Sequence, residues 1–361
     1  MKNKVIKRAF LIIFAIVTIF ILIFFFLFYQ DKYKNLIEHH KELIRKEGKI
    51  VHDKIENNFE VYYAVSQTYN NYFKKLEDIE PIVRREHFRN ITIKMLLFNK
   101  FVKAFWCDFD SNAFDSLDNY YAKQPEYDQS GRFNISYFRE NENIRSENIF
   151  GFIDDPEADY YTQSRIKNKT IIFEPYWYSY KESKITTSND TNATLMITIT
   201  SPVHYKQNII GVTGVDIPIN ELIHIADSLT FFNHNFVRLL SQKGYYLHSD
   251  NKELIGQTIF NNQLYSYSTL EALSKKFQKN KEFEIDLKSN LNEKFFVFCL
   301  PIAMSNSNEY MYFLVNVPYK LMVKEATDLL PKFLICFTLY FILSITFIQF
   351  FFSKYFHTEK N

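Results

Sequence analysis

Both ends of the chain are continuously apolar, and the charged and polar residues lie mostly between them. Residues 9–29, AFLIIFAIVTIFILIFFFLFY, contain no charged side chain, and residues 333–352, FLICFTLYFILSITFIQFFF, form a second stretch of the same kind. As a helix, each is long enough to cross a hydrocarbon layer of about 30 Å. The pattern predicts two transmembrane helices, at 9–29 and 333–352, and a chain anchored in a membrane.

The basic residues beside the first stretch predict how the chain is oriented. Four of them precede it: Lys2, Lys4, Lys7 and Arg8. Positive residues next to a span favour the cytoplasmic side, so we expect residues 1–8 and the tail 353–361 in the cytoplasm and residues 30–332 outside. A cleaved signal peptide would have a shorter apolar region that ends in small residues, and residues 9–29 do not have that form.

Residues 30–75 carry a narrow apolar seam with a recurring heptad spacing, which predicts a long extracytoplasmic helix. The seam consists of Leu36, Ile37, Leu43, Ile44, Ile50, Val51, Ile55, Phe59 and Tyr62. It fits two compatible arrangements: packing on the protein's own globular part, or pairing in a parallel homodimer. His39 and His40 lie on this helix, but adjacent residues diverge by about 100° and make a poor metal pair.

The chain between the spans repeats one pattern of strands. FVKAFWCDFDSNAFDS, starting at Phe101, and FVRLLSQKGYYLHSD, starting at Phe236, each predict a strand, a turn and a second strand. Later in each half an apolar strand ends at a proline, Pro202 or Pro301, and another strand follows a polar loop. The pattern predicts an α+β protein with two tandem antiparallel-sheet lobes. Their predicted bounds are residues 76–229 and 230–325.

The stretch IIGVTGVDIPINELIHIADSL, residues 209–229, changes its period in the middle. β-branched residues up to Val215 predict a strand buried on both faces, and from Pro218 onward apolar residues recur at helical spacing. Asp216 ends the strand on the same face as Gly214, whose missing side chain leaves room beside the carboxylate. Asp216 therefore either caps the helix that follows or faces a pocket and binds a cation.

Charge and motif content exclude several functions. The formal net charge is +2 and no basic block stands out, so we expect no nucleic-acid partner. The sequence has no glycine-rich phosphate loop, no HExxH motif and no paired-cysteine metal motif, and its consecutive His248, Ser249 and Asp250 are unsuited to a hydrolytic triad. We expect no enzymatic activity, no cofactor and no metal. Cys107 and Cys299 are more typical of buried thiols than of a disulfide.

Three motifs, in this order between two spans, resemble the double-Cache sensor modules of bacterial chemoreceptors, sensor kinases and cyclases. They are DYYTQSRIKNKTIIFEPYW at 159–177, ITSPVHYKQNIIGVTGVDIPINEL at 199–222 and LLSQKGYYLHSDNKELIGQTI at 239–259. The resemblance covers roughly residues 30–330. It implies two tandem PAS-like lobes outside a bacterial inner membrane, with a small-molecule ligand in the first, membrane-distal lobe.

The resemblance also implies site residues. In amino-acid-binding members of the family, an Arg shortly before a Trp-Tyr pair holds the ligand carboxylate, and the aspartate of the GVDI strand holds the ammonium. The matching positions here are Tyr160 and Tyr161 for the pair, Tyr176 for the tyrosine of the PY motif, and Asp216. Ala158 stands at the Arg position, and Tyr178 replaces the second acid after PY. Loss of the guanidinium removes the bidentate clamp, which argues against ordinary α-amino acids.

The remaining residues suit a ligand of another kind. Five aromatic residues are predicted to wall a pocket with Asp216 as its counter-charge: Trp106, Tyr160, Tyr161, Tyr176 and Trp177. Aromatic faces with one carboxylate favour an ammonium or quaternary amine, through cation–π attraction of about 0.5–2 kcal/mol. A small apolar or aromatic ligand fits the same walls. Each aromatic residue also suits an ordinary core position in a chain with 38 Phe and 25 Tyr.

Only SKYFHTEKN follows the second span, with no kinase, cyclase or coiled-coil segment. We therefore expect the signal to pass to a separate signalling protein, with the polar residues of the second span as candidate contacts. These are Thr338, Ser344, Thr346 and Gln349. Two alternatives stay open: a tethered ligand-binding accessory subunit, or the remnant of a truncated chemoreceptor or sensor kinase.

Overall fold

The computed structural model describes residues 2–122, 124–125, 127, 129–147, 159–187, 190–261, 265–304 and 310–356. These residues form helices and antiparallel sheets, as the α+β prediction requires. The α-helices are α1 (Lys2–Tyr72), α2 (Pro81–Phe98), α3 (Asp118–Tyr121), α4 (Asp159–Lys167), α5 (Asn220–Asp227), α6 (Tyr267–Phe277), α7 (Tyr319–Met322), α8 (Lys324–Thr327) and α9 (Leu329–Phe356). A 3₁₀ helix, Phe73–Asp78, follows α1 directly.

The strands form two sheets. They are β1 (Ala104–Phe109), β2 (Asn134–Glu140), β3 (Asn143–Glu147), β4 (Ile171–Ile172), β5 (Tyr176–Ser179), β6 (Lys184–Thr186), β7 (Thr194–Tyr205), β8 (Asn208–Pro218), β9 (Val237–Leu240), β10 (Tyr246–His248), β11 (Phe283–Lys288), β12 (Lys294–Ala303) and β13 (Tyr310–Pro318). The first sheet has the order β3-β2-β1-β8-β7-β5-β6, with β4 also paired to β7, and the second has the order β10-β9-β13-β12-β11. The prediction of two tandem sheet lobes is therefore confirmed.

The helices cover one face of the first sheet. The rings of Tyr69 in α1 and Phe105 in β1 have centroids 4.9 Å apart, and Asn70 Nδ2 donates to Thr213 Oγ1 at 2.8 Å. Because side chains alternate along a strand, the odd-numbered residues of β8 around Thr213 face these helices. The even-numbered residues, including Asp216, lie on the opposite face of the sheet.

The apolar seam of α1 packs mainly within the chain. Six of its residues are buried: Leu36, Ile44, Val51, Ile55, Phe59 and Tyr62. Leu43 and Ile50, seven residues apart on the same helix, remain exposed at 38% and 44%. Intramolecular packing therefore accounts for much of the seam, and the parallel homodimer stays a prediction for the exposed part.

The hairpin predicted from Phe101 is wrong. After β1 the chain turns, forms α3 and returns to the sheet only at β2, which begins at Asn134. Acidic side chains explain the difference, because Arg85 of α2 donates to Asp115 Oδ2 at 2.6 Å and to Asp118 Oδ1 at 2.8 Å. These buried bonds hold the segment after β1 against α2 instead of in a second strand. The corresponding hairpin from Phe236 is confirmed as β9 and β10.

The two prolines do not end their strands as predicted. β7 continues past Pro202 to Tyr205, and β12 continues past Pro301 to Ala303. Pro202 pairs with Val212 of β8, whereas the pairing of β7 with β4 on its other side stops at Thr200. A proline is tolerated where a strand has a partner on one side only, because its missing N–H then breaks no ladder bond.

Two helices are long and apolar enough to cross a membrane, one within α1 and one within residues Lys324–Ser353. Their aromatic side chains pack together: the Phe25 and Phe333 rings are stacked with centroids 3.5 Å apart, and Thr18 Oγ1 lies 3.4 Å from Tyr340 OH. These contacts belong to a compact unit formed by residues 1–46, 286–296 and 317–361. Both predicted spans are thus present as apolar helices.

A second compact unit, residues 47–285 and 297–316, contains the first sheet and most of the second. The predicted lobe bounds, 76–229 and 230–325, differ from the bounds of these units, since residues 286–296 and 317–325 belong to the first unit, and they stay a prediction. Within the second unit Cys107 lies in β1 and Cys299 in β12, and both are buried and unbonded. These residues therefore fill apolar core positions in separate sheets.

Candidate functional site

The centre of the candidate site is formed by three adjacent strands of the first sheet. Cross-strand pairing sets Trp106 of β1 opposite Gly214 of β8, and Asp216 opposite both Ala104 of β1 and Thr198 of β7. Directly paired residues point to the same side of a sheet. Trp106, Thr198 and Asp216 consequently share the face opposite α1.

The carboxylate of Asp216 is buried and accepts three hydrogen bonds. Trp106 Nε1 donates to Oδ1 at 3.2 Å, Thr198 Oγ1 donates to Oδ1 at 2.7 Å, and Tyr180 OH donates to Oδ2 at 2.7 Å. Burial raises the pKa of this carboxyl group, and the three donors lower it in part. All three donors are neutral, and the Lys103 ammonium lies over the ring of one of them, Tyr180, 5.3 Å from its centroid.

Gly214 makes room for an indole ring. A Cβ atom at this position would lie 1.9 Å from Trp106 Cε2 and 2.0 Å from Cζ2. The space that the sequence predicted beside the carboxylate exists, and Trp106 fills it. The glycine therefore lets Trp106 lie flat on β8 and reach Asp216 with its N–H.

The alternative role of Asp216, a helix cap, is contradicted by the structure. The helix that follows begins at Asn220 and its N-cap is Ile219, which provides no side-chain hydrogen bond. Asp216 remains inside β8 and binds donors from β1, β7 and the segment after β5. Its carboxylate thus belongs to the sheet face rather than to the end of α5.

Tyrosines extend the site along β5. Tyr176 OH lies 2.6 Å from Thr198 Oγ1, and Tyr178 OH donates to Glu147 Oε1 at 2.8 Å. The Tyr178 and Tyr180 rings are edge to face with centroids 4.9 Å apart, and Tyr180 stacks on Phe138 at 4.7 Å. These rings form an aromatic wall with hydroxyl groups directed at two carboxylates.

Glu147, Thr198 and Tyr180 are site residues that the sequence analysis missed. Burial raises the pKa of Glu147, and the charge of Asp216 raises it further. Nothing in the strand NIRSE distinguishes this glutamate from a solvated one. These three residues come together only through the pairing of strands that are far apart in sequence. The alternation of residues along β7 is the one sequence feature that could have identified any of them, namely Thr198.

Tyr161 lies at the other edge of the site. Its ring packs in one cluster with Trp106 and Val212, and its hydroxyl donates to Asp110 Oδ1 at 2.9 Å. Arg165 donates to both the Tyr161 oxygen, at 2.8 Å, and the Asp110 carboxylate. Tyr161 is therefore held close to Trp106 by an ion pair at the end of α4.

One predicted residue, Trp177, is not brought to this face. Trp177 lies between Tyr176 and Tyr178 on β5, so alternation points its side chain to the opposite face. The side chain of Tyr160 and all of Ala158 lie outside the described residues. The structure therefore unites Asp216, Trp106, Tyr161 and Tyr176, and separates Trp177 from them.

Two further polar clusters have structural explanations. His52, Asp53 and Glu56 offer ligand atoms within 4.8 Å of one another. However, His52 Nε2 is 3.0 Å from the carbonyl oxygen of Pro301, and Glu56 Oε1 accepts from Ala303 N at 3.0 Å. These side chains attach α1 to β12.

The segment His248–Asp250 is likewise part of the second sheet and its turn. His248 ends β10 and its Nε2 lies 3.1 Å from Asp227 Oδ1. Ser249 Oγ donates to Asp250 Oδ1 at 3.2 Å. The serine and the histidine thus have different carboxylate partners, an arrangement unlike the nucleophile–base–acid relay of a hydrolase.

No protein-family model matches the sequence. The methyl-accepting chemotaxis protein PscA of Pseudomonas syringae pv. tomato is 29% identical over 144 residues, which make up 39% of this chain. The matched part is 21% of that protein, so the chain corresponds to a small part of its relative.

Solved sensor domains share the fold. The extracellular domain of mmHK1S-Z2, described as a histidine kinase, superposes with a TM-score of 0.65 at 20% identity, covering 79% of this chain and 98% of that one. The ligand-binding domain of the Pseudomonas aeruginosa PAO1 chemoreceptor PctC, in complex with GABA, has a TM-score of 0.51 at 14% identity and covers 77% and 99%. The chain therefore has the fold of the Cache-type extracellular sensor domains of chemoreceptors and histidine kinases, as its motifs predicted.

Proposed function

We propose that the protein is a membrane-anchored extracytoplasmic sensor that binds a small amine cation in its first lobe, on the face of Asp216. The supporting observation is a buried carboxylate whose hydrogen-bond donors are all neutral. Burying a charge without an opposite charge is unfavourable by several kcal/mol. A cationic ligand would offset this free energy, and Asp216 would be its counter-ion.

The aromatic residues around Asp216 support the same class of ligand. Trp106 and Tyr180 both donate to the carboxylate, and the Tyr161 ring packs against Trp106. An ammonium group is attracted to such aromatic rings. The PctC domain, which shares the fold, was solved with GABA, a ligand that contains an ammonium group. We propose that this chain takes an amine or an amino-acid-like ligand without needing an Arg clamp for a carboxylate.

We further propose that the spans transmit binding to a separate signalling protein. Helix α1 runs without a break from Lys2 to Tyr72, and Asn70 near its end donates to Thr213 of β8 at 2.8 Å. A ligand-dependent shift of β8 would therefore act directly on α1. Replacing Thr338, Ser344, Thr346 and Gln349 by leucine should abolish crosslinking to such a partner, and unchanged crosslinking would contradict their role.

A thermal-unfolding screen of the full chain in detergent tests the proposed ligand class. The compounds are choline, phenethylamine, putrescine and GABA, each tested against wild type and Asp216→Asn. An amine at a concentration of about 100 times its Kd should stabilise the wild-type fold by about 2.7 kcal/mol. We expect this stabilisation to be lost in Asp216→Asn, which keeps the size of the side chain and removes its charge.

A matched control is Glu271→Gln, which removes an exposed carboxylate paired with Lys275 on α6, in the second lobe. It should respond to amines as the wild type does. Stabilisation by carboxylates or apolar compounds, with no effect of any amine, would contradict the proposal. Equal amine responses in wild type and Asp216→Asn would contradict it as well.

A further inference from the structure

The two lobes place different charges at matching positions. The strand β8 ends in GVDIP and the strand β13 ends in LVNVP, so Asn316 corresponds to Asp216. Strand pairing extends this match: Trp106 is opposite Gly214, and Arg238 of β9 is opposite Leu314 of β13. In the second lobe an arginine and an asparagine thus stand where the first lobe has a tryptophan and an aspartate.

Arg238 is a largely buried cation with incomplete hydrogen bonding. Its side chain is 13% exposed, and its Nε has no hydrogen-bond partner among the described residues. Its carboxylate neighbour is Asp250, with Oδ1 4.0 Å from Nη2, and the Asp250 side chain is 44% exposed. A pair at that distance with one solvated partner contributes little, so the guanidinium charge is poorly compensated.

Asn316 and Tyr265 complete a polar cluster around this guanidinium. Asn316 Nδ2 donates to Tyr265 OH at 3.1 Å, and the Tyr265 side chain is buried. Because the tyrosine oxygen accepts from Asn316, its own proton is directed to another acceptor. Asn316 is 3% exposed, and its Oδ1 has no donor among the described residues.

We propose that this cluster is a second binding site, which takes a small carboxylate with a hydroxyl group on its α-carbon. One carboxylate oxygen would accept from Arg238 Nε and Tyr265 OH, and the hydroxyl would donate to Asn316 Oδ1. The three polar atoms that the fold leaves available are then all satisfied, and the buried positive charge is neutralised. The second lobe would thus bind an anion, independently of cation binding in the first.

Equilibrium dialysis with radiolabelled glycolate tests this site on the full chain in detergent. We expect the wild type to bind glycolate about tenfold more tightly than acetate, because acetate lacks the donor for Asn316. Arg238→Gln should weaken glycolate binding by about tenfold or more. Asp250→Asn should strengthen it, because this change removes a negative charge beside the guanidinium.

One further variant and one competing compound complete the test. Asn316→Ala should lower glycolate affinity to that of acetate, and each variant must keep a cooperative thermal transition to be counted. Phenethylamine should leave glycolate binding unchanged, which separates this site from the one at Asp216. The proposal is overturned if glycolate does not bind at millimolar concentration, or if Arg238→Gln and Asp250→Asn bind it equally well. In either case buried water, not a ligand, satisfies the cluster.

Discussion

At the scale of single residues, the properties of Asp216 depend on the side chains that contact it, which come from distant parts of the sequence. Its three donors come from different segments, β1, β7 and the residue after β5. Neutral donors stabilise a buried carboxylate only in part, so its burial still raises the pKa. This residue therefore links the stability of the unliganded protein to pH.

The direction of that link follows from the raised pKa. The folded state holds the Asp216 proton more tightly than the unfolded state, so the free energy of unfolding should fall as pH rises from the usual carboxyl pKa through the raised one. Asp216→Asn should flatten this fall, by at most about 1.4 kcal/mol per pH unit. Denaturant unfolding of the unliganded chain at several pH values measures it.

Glu271→Gln is the control for the pH experiment, since Lys275 lowers the pKa of Glu271, an exposed group. A group with a lowered pKa contributes stability that is lost as pH falls, whereas the contribution of Asp216 is lost as pH rises. If the free energy of unfolding depended on pH identically in the wild type and in Asp216→Asn, the pKa of Asp216 would not be raised in the folded state.

Two glycines provide a matched pair of substitutions with opposite predicted signs. Gly214→Ala should destabilise the fold by about 1–3 kcal/mol, because its Cβ would collide with Trp106. Gly48→Ala should stabilise it by about 0.5–1 kcal/mol, because its Cβ would meet Phe298 at an ordinary 3.5 Å inside helix α1. Thermal and denaturant unfolding measure both. Equal effects of the two substitutions would contradict the packing of Trp106 on β8.

The sequence predicted part of this site at the residue scale. Asp216 and the gap at Gly214 follow from strand alternation within one segment, and Tyr176 followed from the family resemblance. Tyr180 and Glu147 were missed because their relation to Asp216 depends on which strands become neighbours. Side-chain alternation also separates Trp177 from Tyr176 and Tyr178, and this was available from the sequence once β5 was recognised as a strand.

At the scale of elements, the repeated closing strands were predicted and the first hairpin was not. The apolar runs of β8 and β13 are unambiguous because both faces are buried. The segment after β1 has the turn residues of a hairpin, yet its carboxylates accept from Arg85 of α2, the helix before β1. Local patterns cannot reveal such a long-range ion pair.

Arg85 should therefore contribute strongly to the attachment of this segment to α2. Its guanidinium is buried and paired with two carboxylates, so Arg85→Met should destabilise the fold by about 3–5 kcal/mol through unpaired buried charge. Arg145→Met removes an exposed arginine that pairs with Glu140 and should change stability by less than about 1 kcal/mol. Similar losses for both in denaturant unfolding would contradict the buried network.

At the scale of the whole molecule, the two apolar helices and the sensor fold predict an anchored protein with its sheets outside the cytoplasm. The native cysteines favour a labelling test. Cys107 and Cys299 are buried, and burial raises their thiol pKa values, so they should react poorly with maleimides. The third native cysteine, Cys336, is exposed in the second span and is replaced by alanine, so that single cysteines added at exposed positions report on sidedness.

The substitutions Tyr267→Cys and Val5→Cys place a reactive thiol on each of the two predicted sides of the membrane. Tyr267 is 83% exposed at the start of α6, and Val5 is 66% exposed before the first span. A membrane-impermeant maleimide should label Tyr267→Cys in intact spheroplasts, and Val5→Cys only after the membrane is opened. Labelling of Val5→Cys in intact spheroplasts would reverse the predicted orientation.

The most direct test of the central claim compares a cation with an uncharged molecule of the same shape. Choline and 3,3-dimethylbutan-1-ol are such a pair, and calorimetric titration of the full chain measures both. The account predicts that wild type prefers choline by about tenfold or more, and that Asp216→Asn removes this preference. Equal affinities in the wild type, or a preference that survives in Asp216→Asn, would contradict the role of Asp216 as the counter-ion of a bound amine.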